Sequence, residues 1–521
     1  MPRTIEAVDL APSTRQAGIM FKPLIALVLL GIPVSALAQA QPIAPPIQPL
    51  TAATAPSALQ QSVEAELAKA PQGTRFGLLV VDEAGQVIVS VNPDQRFIPA
   101  SNTKLFTTAA AYALLPGMDQ PDTASGTQVY LRPGQRKAAP DVVLRGRGDA
   151  RLSSAPDCAT DCLASLADAV AAKTKLVGDV IGDDSWFPDQ RWSPGMSWNN
   201  FGSNDATAAS ALSLDSNELT VQVTAAGPGQ PPVVKAPAYV RITNEALTLD
   251  GEPQTLTIEH RVNSRDFRLY GEMPVGGAAW SERIGIDDPA DYAAQTFAEM
   301  LRARGVKVTG KVRVRHRRVT TDLARPQAAE VLYDSDTWGW GAPLAALTPP
   351  PLSEDVTIIN KVSQNQHAEL LLRRIGKVHG TGSLGDGLNA ERALFEQAGL
   401  PRSGYDFSDG SGMSTYNRVS PRAAVSLLRW AAIQPWGRAW YASLPVAGGD
   451  GTLKRRFIGT PLAGNLTAKT GSLNATNALS GTFRGASSRR LTFAFFANDV
   501  PDGESALPVM EAVLLLVAAQ N

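Results

Sequence analysis

Ser101 and Lys104, within Ser101-Asn102-Thr103-Lys104, form the one Ser-x-x-Lys pattern in the chain. A serine hydroxyl is a poor nucleophile until a base takes its proton. Three residues apart on a helix, the lysine lies on the serine's face one turn along, within reach of its hydroxyl. Burial in an apolar helix, or a neighbouring cation, lowers a lysine's pKa and makes it a base near neutrality. Alone the pattern carries no weight, since roughly one is expected by chance in a chain of this composition. Lys469-Thr470-Gly471 is rarer, arising by chance in roughly one such chain in ten. Its lysine offers positive charge for a carboxylate, its threonine a hydroxyl, and Gly471 room for close approach. Ser363-Gln364-Asn365 falls between two helical stretches, where residues two apart can face one cleft, although Ser and Asn are also common helix caps.

The surrounding patterns say which elements must hold these residues. Residues 105–115 are rich in Ala, Leu and Thr and carry no charge, so they read as a fully buried helix, entered after Pro99. Helices are also expected at 62–70, 355–362, 365–376, 390–398 and 508–519, and a hairpin at 75–81 and 86–92 around Asp82-Glu83-Ala84-Gly85. Strands are expected at 466–471, 478–483 and 491–498, which puts Lys469 on a strand. From about 116 to 331 short alternating runs separated by Gly, Pro and Asp read as mostly β, with one helix at 290–304. The fold class is therefore α/β: a domain of residues 57–118 and 332–521, interrupted by an insertion of residues 119–331 that forms one or two further domains. A chain of 521 residues is too long for one ordinary domain.

Charge and leader narrow the setting. Net charge is −1 with no concentrated basic stretch, which argues against nucleic-acid binding and against a polybasic membrane anchor. Residues 1–38 read as an export signal: Lys22, an apolar run from Leu24 to Pro33, and small residues at Ala36, Ala38 and Ala40. That run is shorter than the ~20 residues of a membrane span, so membrane association is at most peripheral, an uncleaved anchor being the alternative. The true start is open between Met1 and Met20. Residues 39–56, rich in Pro, Ala and Gln, read as a mobile spacer. The two cysteines, Cys158 and Cys162, are close enough for a bridge in an oxidising compartment, two buried thiols being the other reading. The four histidines are scattered, His367 reading as a surface residue, and no Gly-x-Ser-x-Gly elbow supports a Ser-His-Asp hydrolase.

In the order Ser-x-x-Lys, Ser-x-Asn, Lys-Thr-Gly, the three motifs are the signature set of penicillin-binding proteins and serine β-lactamases. The chain resembles the class C low-molecular-weight penicillin-binding proteins, the D-alanyl-D-alanine carboxypeptidase/endopeptidases of the penicillin-binding protein 4 type. The segments 144–149 (Leu-Arg-Gly-Arg-Gly-Asp), 182–187 (Gly-Asp-Asp-Ser-Trp-Phe), 210–214, 360–365, 409–412 and 451–453 carry the likeness, together with the ~260 residues between Ser101 and Ser363 that β-lactamases lack.

The resemblance implies a β-lactamase/transpeptidase-like domain, a periplasmic setting, and peptidoglycan stem peptides and β-lactam antibiotics as partners, with no metal or organic cofactor. It implies Ser101 as nucleophile, Lys104 as base and Ser363 as proton relay to the leaving nitrogen. Asn365 would hold the substrate amide, and Lys469, Thr470 and Gly471 the terminal carboxylate. The oxyanion would sit between the N–H groups of Ser101 and a residue near Ser472. The chain departs from the family at Thr415, where an arginine is usual. Arg418, three positions on, is the candidate substitute, and Asp183 or Asp184 a matching acidic contact. Two other readings stay open: a β-lactamase or esterase on the same core, and an idle peptidoglycan-binding protein. Terminal trimming and cross-link hydrolysis are not separable from the letters.

Overall fold

Strand Arg490–Asn498 shows how the half that carries the three motifs is built. Leu491, Phe493, Phe495 and Ala497 point to one apolar cluster, Ala494 and Phe496 to another. Successive strand residues face opposite sides, so a run that is apolar throughout needs both faces covered. It lies at the centre of a five-stranded sheet in the order Val87–Val91, Arg75–Asp82, Arg490–Asn498, Thr476–Arg484, Thr467–Leu473. All four pairings are antiparallel. Helices Ala58–Leu67 and Leu507–Ala519 pack on one face through Val63, Met510 and Leu514. On the other lie Thr103–Leu114 and Pro421–Ala432, with Leu352–Lys361, Asn365–His379 and Leu384–Gln397 beyond them. Each fully buried Leu, Val or Phe contributes about 1.5–3 kcal/mol, so this two-sided core is the largest stabilising feature around the motifs.

The computed structural model describes residues 46, 49–51, 57–134, 139–251, 253–319 and 341–521. The expected leader at 1–38, most of the spacer at 39–56 and the boundary expected at 331–332 lie outside these. Thr51, within the segment read as mobile spacer, is in fact bonded: its N–H donates to the Gly85 carbonyl at 3.1 Å and its carbonyl accepts from Val87 at 3.2 Å.

Helix boundaries differ from expectation where caps were overlooked. The first helix begins at Ala58 because the Ser57 hydroxyl accepts from the N–H of Gln60. The helix expected at 390 begins at Leu384, started by a capping box between Ser383 and Asp386. His367 is a correction: it is buried, with Nδ1 3.5 Å from the Asp355 carboxylate, because this face of its helix packs against Leu352–Lys361.

A second five-stranded sheet runs in the order Val312–Arg317, Val180–Pro188, Asp141–Arg145, Gln128–Arg132, Ala345–Ala346. Its first three strands pair in parallel, which requires crossover connections. One passes through helix Leu163–Lys173, which a mostly β reading of this region passes over; the other contains helix Pro289–Ala303. Both helices share with the sheet a core that contains no residue of the first one. Cys158 and Cys162 form a disulfide with Cα atoms 5.7 Å apart, in the turn that leads into Leu163–Lys173. Arg374 pairs with Asp122, and the Lys377 ammonium lies 4.7 Å from the Trp186 ring centre, tying this region to helix Asn365–His379.

Candidate active site

Ser101 sits in a single 3-10 turn, Ala100–Asn102, that feeds directly into helix Thr103–Leu114. The turn is held tightly. Ala100 adopts a left-handed φ of 46°, a backbone state that costs an L-residue about 1–2 kcal/mol. The Asn102 amide donates to the Lys469 carbonyl at 3.0 Å, tying the turn to strand Thr467–Leu473. Two glycines allow the close approach: a Cβ on Gly412 would lie 2.0 Å from the Ala100 carbonyl oxygen, and one on Gly471 2.7 Å from that of Pro99.

Lys104 follows one turn along, with its side chain fully buried. Its Nζ lies 3.0 Å from the Ser101 hydroxyl and 2.5 Å from Asn365 Oδ1, and also donates to the carbonyl of Ser411. Burial lowers its pKa to about 8, against the pull of the carboxylates of Asp409, Glu369 and Asp205, which favour the charged form. Lys469 is equally buried. Its Nζ meets the Ser363 hydroxyl at 2.9 Å and the Thr470 carbonyl at 3.1 Å. Burial, and then the charge of Lys104, hold its pKa well below the usual lysine value.

Ser363 has φ 66°, a left-handed residue at the junction between helices Leu352–Lys361 and Asn365–His379. Non-glycine residues in this region concentrate at functional sites because the surrounding structure must offset their strain. The junction turns both Ser363 and Asn365 toward one space. Asn365 passes its Nδ2 hydrogen to the Asp205 carbonyl at 2.8 Å, which fixes Oδ1 toward Lys104. Thr470 Oγ1 donates to Thr452 Oγ1 at 2.8 Å. A cleft of about 720 Å³ joins Ser101, Ser363, Asn365, Thr470 and Gly471. A recess of similar size between residues 189–194 and 384–388 contains none of the motif residues.

Two expected contacts are not there. Asp183 is fully buried: its carboxylate pairs with Arg315 at 2.9 Å and accepts from the N–H and hydroxyl of Ser185. Asp184 is likewise turned inward, onto His316 and Ser210. Both belong to a strand inside the second sheet, and neither lines the cleft. Arg418 also faces away, its guanidinium donating to the carbonyls of Thr415 and Asn417. From the intervening region the cleft instead receives Asp205, Ser197, Asn200 and Ser203, and Thr415 lines it directly. Asp205 gave no signal in the sequence beyond being one Asp among many in a loop. Glu369 did: it stands four residues after Asn365, hence on the same helix face.

A serine hydroxyl paired to a buried lysine beside an antiparallel sheet, with a second hydroxyl–lysine pair across the same cleft, fits a serine-acylating hydrolase of the penicillin-interacting class. The chain belongs to the D-Ala-D-Ala carboxypeptidase 3 (S13) family, whose model matches residues 59–520. Accordingly it is a class C low-molecular-weight penicillin-binding protein, a serine-type D-Ala-D-Ala carboxypeptidase of peptidoglycan. It is 34% identical over 481 residues to a D-alanyl-D-alanine carboxypeptidase of Actinomadura sp. (strain R39), covering 88% of this chain and 84% of that protein. With the D-alanyl-D-alanine carboxypeptidase DacB of Haemophilus influenzae it shares 25% identity over 454 residues, 84% of this chain and 88% of the relative. The crystal structure of penicillin binding protein 4 from the same organism has the same fold. It superposes with a TM-score of 0.73 at 22% identity, covering 88% of this chain and 97% of that one.

Proposed function

We propose that Ser101 is the acylated nucleophile and Lys104 its general base. The observation that carries this is the set of three partners around Lys104 Nζ. A neutral amine has two N–H bonds and one lone pair. Asn365 Oδ1 and the Ser411 carbonyl are acceptors only, so they take the two N–H bonds and leave the lone pair facing the Ser101 hydroxyl. In that arrangement the Ser101 proton passes to Lys104 as Oγ bonds to the carbonyl carbon of the penultimate D-alanine. Collapse of the tetrahedral intermediate breaks the C–N bond, and the leaving amine takes a proton through Ser363. Water then hydrolyses the ester and Ser101 regains its proton. The N–H groups of Ser101 and Ser472 are the oxyanion donors, each worth on the order of 10²–10³ in rate.

Lys469 and Thr470 receive the substrate's terminal carboxylate. The buried Lys469 ammonium meets two neutral oxygens, the Ser363 hydroxyl and the Thr470 carbonyl, so the arriving anion supplies the counter-charge that draws a proton onto it. A charged Lys469 in turn disfavours charge on Lys104, which readies the base when substrate is present.

The DD-endopeptidase reaction is proposed for the same site, since the cross-link it cuts is the same kind of bond. Capture of β-lactams as acyl-enzymes follows from the same chemistry; the Haemophilus penicillin binding protein 4 is known complexed with a β-lactam. A cleavable leader over residues 1–38 and a periplasmic location are proposed from the leader's charge and apolar pattern. Among the described residues no helix is long and apolar enough to cross a membrane.

The test is intact-mass measurement after exposure to a fluorescent penicillin, paired with assay of D-alanine released from a stem pentapeptide. The wild type gains one acyl group and releases D-alanine; folded Ser101→Ala does neither. Labelling that survives in Ser101→Ala would refute the assignment. Digestion of intact sacculi reads the second activity, as conversion of cross-linked dimers to monomers.

A further inference from the structure

The base is held from below by residues outside the three motifs. Glu369 is 4% exposed, one helical turn beyond Asn365. Its Oε1 accepts the N–H groups of Gly410 and Ser411, each at 3.0 Å. The carbonyl of that same Ser411 accepts from Lys104 Nζ. Glu369 Oε2 is fixed in turn by Arg373 at 2.8 Å and by the Ser193 hydroxyl at 3.1 Å, and Arg373 reaches the Gln190 carbonyl at 2.8 Å. Asp409, fully buried at the start of the same loop, accepts from the N–H of Gly412 at 2.9 Å and from the Asn417 amide at 2.6 Å, and also bonds the N–H of Ser414.

We infer that Glu369 and Asp409 are positioning residues for acylation: they clamp the 410–414 loop so that the Ser411 carbonyl stays on Lys104, and they supply the buried negative charge that base faces. This rests on the reading of Lys104 as the base. The charged groups around Lys104 are Glu369 from helix Asn365–His379, Asp409 from the loop, Asp205 from the intervening region and Lys469 from strand Thr467–Leu473. Glu391, from helix Leu384–Gln397, stands behind Glu369. Its burial raises its pKa to about 8, so it is largely neutral at pH 7. Burial would raise the Glu369 pKa, but Arg373 and the Ser411 bonds overcome it and hold the carboxyl ionised. Asp409 titrates at about 6, raised by burial and by Glu369, so it too is charged where the base titrates.

The experiment is the pH profile of acylation by a fluorescent penicillin in stopped flow. It is run on the wild type, Glu369→Gln, Glu369→Asp, Asp409→Asn and Lys104→Ala, each full-length and checked for fold by circular dichroism. The wild-type rate should fall off on the acid side of about pH 8, where the base becomes protonated. Removing a carboxylate that favours the lysine's charged form moves that limb to lower pH by about 1 in Glu369→Gln. At pH 6 the variant then runs about tenfold faster relative to its own plateau, while the plateau drops because the loop is looser. Glu369→Asp keeps the charge, so its limb stays in place while its plateau falls. Asp409→Asn leaves the Glu369–Arg373 pair intact and must shift the limb in the same direction as Glu369→Gln. It decides the matter if Glu369→Gln, with Arg373 uncompensated, does not fold. Limbs unmoved in folded Glu369→Gln and Asp409→Asn overturn the inference. A limb that persists in Lys104→Ala overturns instead the assignment of the base.

Discussion

Adding one methyl group at position 471 tests whether the strand and the nucleophile turn must meet as closely as they do. The backbone at Gly471 is not in the left-handed region, so alanine carries no conformational penalty there and the effect is steric alone. Its Cβ would lie 2.7 Å from the Pro99 carbonyl oxygen, 3.1 Å from the Ser101 nitrogen and 3.1 Å from Ala478 Cβ. An ordinary C···O contact is about 3.3–3.6 Å, so the turn and the strand must separate by about 0.6–0.9 Å. The Pro99 and Ser101 atoms are backbone, Ala478 Cβ has no torsion to turn about, and the Asn102–Lys469 bond ties turn and strand together, so no side chain can swing aside. That displacement moves the two N–H groups proposed to bind the oxyanion relative to each other. Since a misplacement of about 1 Å can cost 10²-fold, Gly471→Ala should lose on the order of 10- to 100-fold in acylation rate. Stopped-flow acylation by a fluorescent penicillin reads the loss, and a melting curve close to the wild type's shows that the fold persists. A folded Gly471→Ala that acylates at the wild-type rate refutes the close-approach argument.

Three further outcomes are expected. Replacing both cysteines by serine opens a loop between residues only 4 apart. By the chain-entropy relation this costs about 2 kcal/mol, read in urea denaturation, with D-alanine release unchanged because neither cysteine lines the cleft. His316 is held between Asp184 at 2.9 Å and Asp288 at 3.3 Å, and these bonds outweigh its burial and raise its pKa to about 10. Its contribution to stability is therefore complete below the unfolded value of about 6.5 and is lost as pH rises toward 10. Melting temperature should fall across that window, and the fall should be smaller in His316→Gln. Gly412→Ala, with φ +91° and a Cβ 2.0 Å from the Ala100 carbonyl, should be more severe than Gly471→Ala and lower the melting temperature as well as the acylation rate.

The three motifs were readable because their geometry is local or nearly so. Ser101 and Lys104 are one helical turn apart, and that spacing delivers the 3.0 Å contact whatever else the chain does. The buried helix around them was evident from its lack of charge, and Lys469 fell within one of the three strand candidates near the end of the chain. The insertion was readable only in outline. Parallel pairing and helix Leu163–Lys173 were missed because alternation marks a strand without saying which neighbour it takes.

Side-chain direction at a distance was decided only by packing. Asp183 and Asp205 are both aspartates of the intervening region, yet one is sealed against Arg315 inside a sheet and the other lines the cleft. The face a strand residue takes depends on register and on what covers the sheet, and neither is encoded within a few residues. The same holds for Glu369 and Asp409, 40 positions apart in the chain, which meet beneath Lys104 because two helices and a loop close over them. Residue type and local spacing thus settled what chemistry the chain carries. Burial, which removes water from two lysines and sets buried carboxylates around Lys104, was settled by the tertiary fold.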